Sequence, residues 1–81
     1  MTKQERYELI KITALTYLSC KQQDIIYMRE PSRETLIATG KLLGMLTLLE
    51  LDFEEDLKNY AITIKYRSGR KFGIFALKVG Y

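Results

Sequence analysis

Leu36 to Leu51 is apolar on nearly every side of a helical wheel. Leu36, Ile37, Leu42, Leu43, Met45, Leu46, Leu48, Leu49 and Leu51 leave little of the circumference polar. A helix apolar nearly all round is buried nearly all round. The chain has only 81 residues, enough for one domain, and chains of that size bury only about 60% of their unfolded surface. One further helix and a hairpin cannot enclose such a helix. The expectation is that its remaining side meets a second copy of the chain or another protein. A membrane is the competing cover, but Lys41 and Glu50 interrupt the apolar run. It falls short of the ~18 apolar residues of a spanning helix.

Pro31-Ser32 opens this helix, with Ser32 as N-cap and Glu34 in the positive first turn. The pattern predicts a helix over about 32–51. Inside it, Gly40 and Gly44 lie one turn apart. Each glycine in a helix interior costs about 1 kcal/mol relative to alanine, so two of them imply a steric need. Close contact with the other helix is one reading. A self-association seam built on Gly40, Gly44, Met45 and Leu48 is the other.

Upstream, Thr2-Lys3-Gln4-Glu5 matches a capping box. It predicts a helix over about 2–21, with Tyr7, Ile10, Ala14, Tyr17 and Leu18 on one stripe. Leu9, Ile12, Leu15 and Cys20 form a weaker apolar side. Residues 22–31 read as a connection, because Pro31 disfavours helix at Glu30. Ile25, Ile26 and Tyr27 make 25–29 a candidate extra strand.

Downstream, Lys58 to Tyr81 carries six basic residues and no acidic one. Apolar and polar residues alternate about Arg67-Ser68-Gly69-Arg70, which predicts a hairpin with strands at about 60–67 and 70–79. A two-residue Ser68-Gly69 turn sets Ile62 opposite Phe75 and Ile64 opposite Gly73. Tyr60, Ile62, Ile64 and Tyr66 then share a core face with Lys71, Gly73, Phe75, Leu77 and Val79. The other face carries Thr63, Lys65, Arg67, Arg70, Phe72, Ile74 and Lys78. One extra loop residue would flip the second strand. The fold expected is α+β: two helices, then an antiparallel hairpin, in a single domain spanning 1–81. A two-stranded sheet is marginal alone, so residues 25–29 or a second copy should add to it.

Composition argues against catalysis. Without histidine, no Ser–His–Asp or Cys–His arrangement forms, and the single Cys20 leaves neither an internal disulfide nor a Cys–His zinc site. Cys20 reads as a small hydrophobe. The acidic cluster Glu50, Asp52, Glu54, Glu55 and Asp56 lacks the spacing of an EF-hand loop. It reads as a solvated helix end, or as an internal charge partner for the basic hairpin. No metal or other cofactor is expected, nor an enzyme activity. The polar N-terminus and lone thiol fit a cytoplasmic protein.

Two functions remain. One is a non-enzymatic protein-interaction module, a regulator or inhibitor-type accessory protein of the kind phages and mobile elements carry. It would act as a homodimer through the apolar helix, with the basic hairpin docking another protein. The other is nucleic-acid binding by that hairpin, since basic side chains interleaved with aromatics neutralise phosphates and stack on bases. Lys65, Arg67, Arg70, Lys71, Phe72 and Lys78 are the residues expected to make either contact. No small-molecule substrate is evident, although Tyr7, Tyr17 and Tyr27 are candidates to line a pocket.

Overall fold

The computed structural model describes residues 2–77. Helix α1 (Lys3–Ile26) and helix α2 (Arg33–Leu48) precede three strands, β1 (Leu51–Asp56), β2 (Ala61–Tyr66) and β3 (Lys71–Ala76). The strands form one antiparallel sheet in the order β1-β2-β3. Both helices pack on one face of it, α1 over β2 and β3, α2 over β1. This is the α+β arrangement of two helices and a hairpin, with a third strand.

The capping box forms as read: Thr2 Oγ1 accepts from the Glu5 N–H, and Glu5 returns a carboxylate to the Thr2 N–H. Ile10, Ala14, Tyr17 and Leu18 then carry the buried stripe of α1, while Tyr7 stays partly exposed. Ala38, Leu42 and Leu46 recur every four residues and give α2 its buried stripe. Leu51, Ile62, Ile64 and Phe75 complete the core from the sheet.

The third strand comes from Leu51–Asp56, not from 25–29. Residues 25 and 26 belong to α1, which runs five residues beyond 21. The restriction imposed by Pro31 reaches only Glu30, and Gln22 and Gln23 continue the helix readily. The extension brings Asp24 to the start of α2. Its carboxylate accepts from Arg29 Nε (2.8 Å), from the Ser32 N–H (3.3 Å) and from Thr35 Oγ1. Asp24 and Thr35 are both buried. Ser32 caps α2 through the Thr35 N–H, as its sequence position suggested.

Helix α2 stops at Leu48, three residues short of 51. Glu50 takes φ 58, the left-handed conformation that ends a helix. Beyond it, Leu51-Asp52-Phe53-Glu54 alternates with the period of a strand. Asp52, Glu54, Glu55 and Asp56 therefore lie in an edge strand, and only Glu50 is at the helix end.

The hairpin is closed by three residues, not two. The Gly69 N–H donates to the Tyr66 carbonyl, and the Tyr66 N–H to the Arg70 carbonyl, both at 2.8 Å. Gly69 sits at φ 95, where a side chain would be strained. The register shifts again between Ile64 and Lys65, where Phe72 has no partner across the ladder. This bulge cancels the slip from the longer loop, so Ile62 still faces Phe75 and Ile64 still faces Gly73. At the tip, however, three side chains change sides, Arg70 among them, its guanidinium over the Tyr66 ring. Lys71 pairs with Lys65 and is exposed, whereas Phe72 packs against the core. Val79, expected in the second strand, lies outside the described residues.

Two outcomes test this account. Met28 follows α1 at φ 50 and is 92% exposed, so it bears left-handed strain without packing in return. Met28→Gly should raise the unfolding free energy by about 0.5–1 kcal/mol, read from the urea midpoint. The second concerns acid. Bonds from Thr35 and Arg29 hold the Asp24 carboxyl below its ordinary value of 3.8. A depressed folded pKa gives stability that is complete above the unfolded pKa and lost as pH falls through the folded one. The stability gap between the wild type and Asp24→Asn should be constant near neutrality and shrink below about pH 4, measured by urea unfolding across that range.

Candidate functional site

Two surfaces stand out, and they use different residues. The first is the outer face of α2. At 100° per residue, Gly40 and Gly44 lie opposite the buried stripe of Ala38, Leu42 and Leu46. Leu36 and Leu43 flank them on one side, Ile37 and Leu48 on the other. All four flanking side chains are exposed, Leu48 by 85%. A Cβ added at Gly40 or Gly44 would meet no atom within 4 Å. The glycines thus do not serve contact with α1. Met45, grouped with them from sequence, turns the other way and packs partly buried against the core. The face continues across a shallow groove lined by Ile12, Thr16, Ala38 and Lys41 toward α1.

The second surface is at the hairpin tip. Arg67, Arg70 and Lys71 are exposed there. The Arg70 guanidinium lies 4.9 Å from the Tyr66 ring centre, a cation–π distance. Tyr66 meets Phe72 edge-on at 5.8 Å, Phe72 meets Tyr7 at 5.9 Å, and Tyr7 meets Phe75 at 5.4 Å. The aromatic series runs from the tip into the core. Beside it, the first turns of α1 bring in Lys3 and Arg6. Together Lys3, Gln4, Arg6, Tyr7, Tyr66 and Phe72 line a cleft of about 320 Å³.

The remaining expected site residues are placed differently. Lys65 Nζ is 2.8 Å from the Glu54 carboxylate, and Asp52 is its partner across the ladder. The acidic strand thus acts as the internal charge partner, and Lys65 is engaged within the sheet. Lys78 lies outside the described residues. Lys3 and Arg6 were not singled out from sequence. They are distant from the hairpin along the chain, and only the packing of α1 over β3 brings them beside it.

Tyr7, Tyr17 and Tyr27 do not share a pocket. Tyr7 borders the cleft, Tyr17 is buried and Tyr27 is exposed. The Tyr17 hydroxyl donates to the Glu55 carboxylate, and Phe53 packs edge-on against its ring. Burial, and then the Glu55 bond, push the Tyr17 phenol well above its ordinary pKa. Tyr17 thus joins α1 to β1 as a neutral donor. Cys20 is half-buried. Among the described residues, no cluster of His, Cys, Asp or Glu is arranged to hold a metal ion. Among them too, no helix is long and apolar enough to cross a membrane.

Comparison with protein-family models, curated proteins and solved structures finds no match.

Proposed function

We propose that this protein is a non-enzymatic interaction module that self-associates through the outer face of α2. The observation that supports this is the pair Gly40 and Gly44, open to solvent at the centre of an exposed apolar face. Each loses about 1 kcal/mol of helix stability relative to alanine, and among the described residues no neighbour lies close enough to exclude a Cβ there. The requirement is met outside the chain. Between the ridges of Leu36, Leu43 and Leu48 the glycines leave a groove that another helix can approach closely.

A second copy fits that groove best. A two-fold interface repeats one patch on both subunits, so the patch must complement itself. Small residues in the middle with leucines on either side meet that condition. An antiparallel crossing midway between Gly40 and Gly44 also sets the Arg33 end of one helix near the Glu50 end of the other and opposes the two macrodipoles favourably. Each exposed leucine buried at the seam contributes about 1–2 kcal/mol. The hairpin tip and its cleft share no residue with this seam and stay available to a further partner.

The test exploits opposite signs. In a lone protomer, Gly40→Ala with Gly44→Ala fills open space and strengthens the helix, raising stability by about 1–2 kcal/mol in all. At a close seam the same methyl groups force the helices apart. Sedimentation equilibrium should show a wild-type dimer, and the double variant should dissociate at least about tenfold more readily, a change of about 1.4 kcal/mol. A variant that is more stable with unchanged mass at every concentration would show that the seam is elsewhere.

A further inference from the structure

The cleft between the start of α1 and the hairpin tip combines features that its packing role does not require. Its lining supplies two cations, Lys3 and Arg6, and no carboxylate. Arg70 lies just across the Tyr66 ring. The ion pairs among the described residues are Arg29–Asp24 and Lys65–Glu54, so Lys3, Arg6 and Arg70 enter neither. The nearest acidic groups on α1 are turned to other tasks. Glu5 folds back onto the Thr2 N–H, and Glu8 accepts from the Gln4 amide. Both keep their negative charge, but neither forms an ion pair with Lys3, Arg6 or Arg70 among the described residues.

Its apolar part is built of rings set at angles to one another and is partly open. Tyr7 and Tyr66 are 37% and 36% exposed although both rings pack against Phe72. By turning Phe72 inward, the bulge gives the two tyrosines a shared neighbour. A ligand matching this lining has a planar aromatic body and an anionic group beside it. The cleft, about 320 Å³, sits at the small end of ligand sites, which hold roughly 300–1,000 Å³. An acidic peptide would use the cations and leave the rings unused. A base paired within a duplex could not reach the rings at all.

We propose that this cleft binds an unpaired nucleotide, its base on Tyr66 with Tyr7 beside it and its phosphate between Lys3, Arg6 and Arg70, as one unit of a single-stranded nucleic acid. Arg67 and Lys71 extend the positive strip beyond the cleft, where flanking phosphates of the same strand would run. Stacking with electrostatic tracking is the usual means of holding single strands without base-edge readout. None of these residues belongs to the α2 face, so the proposal is independent of self-association.

Fluorescence anisotropy of a labelled strand of about 12 nucleotides, with its duplex in parallel at about 50 and 200 mM salt, tests it. Single strand should bind at least about tenfold tighter than duplex. Lys3→Gln with Arg6→Gln should weaken binding and flatten the log–log salt slope by about 0.7, the loss of one phosphate contact. Tyr66→Leu should weaken binding about fivefold or more and leave the slope unchanged. Thermal melting of each variant separates lost binding from lost folding. The double variant at Lys3 and Arg6, on exposed positions of α1, keeps the test informative if Tyr66→Leu unfolds. Competition by a nucleoside monophosphate separates the two sources of the ligand. Micromolar competition assigns the cleft to free nucleotides, and millimolar competition assigns it to the polymer; both support the cleft. Equal binding of duplex and single strand, equal competition by an oligo-glutamate peptide, or loss on Arg67→Ala with Lys71→Ala but not on the cleft variants would overturn it.

Discussion

The buried carboxylate of Asp24 fixes how the two helices meet. It sits in the last turn of α1 and receives bonds from Arg29, from the Ser32 backbone and from Thr35. One side chain thereby ties the end of one helix to the N-cap of the next. A buried charge without partners would be strongly unfavourable, so the turn is held in the geometry that supplies all of them. The Arg29 N–H to Asp24 carbonyl bond closes the end of α1 in the same place. With that turn set, α1 and α2 present one continuous apolar surface, and the sheet packs beneath it.

The sheet is covered on one face only, and its charge is arranged accordingly. Tyr17 and Glu55 lock β1 to α1 on the covered side. On the other, Glu54 and Asp52 of β1 meet Lys65 of β2. The acidic cluster neutralises the body of the hairpin and leaves the positive charge at its tip. The bulge at Phe72 then sorts that tip, sending Lys71 outward and the aromatic ring inward toward Tyr7. Charge and aromatic surface end up concentrated at one end of the molecule.

Helix α2 has two apolar faces. Ala38, Leu42 and Leu46 pack inward, while Gly40 and Gly44 open an apolar face outward. The amount of apolar surface in α2 was legible in the sequence, as was its excess over what one small domain encloses. The glycines were not assignable from sequence alone, because their spacing suits contact with α1 and contact outside the chain equally well. Only the empty space around them separates those cases.

The sequence by itself determined the helix starts, the buried stripe of α1 and the body of the hairpin. These depend on interactions a few residues apart: a capping box, a 3.6-residue period, an alternation about a glycine turn. The tertiary structure decided what depends on distant partners. Helix α1 runs past Lys21 because Asp24 finds Thr35. Leu51–Asp56 becomes a strand because β2 lies beside it, although its alternation was readable once helix was not assumed. The three-residue loop and the bulge offset each other, so the pairing of Ile62 with Phe75 survived a wrong turn, while Lys71 and Phe72 exchanged sides. Lys3 and Arg6 join the hairpin only because α1 packs over β3, and no local pattern in the chain encodes that proximity.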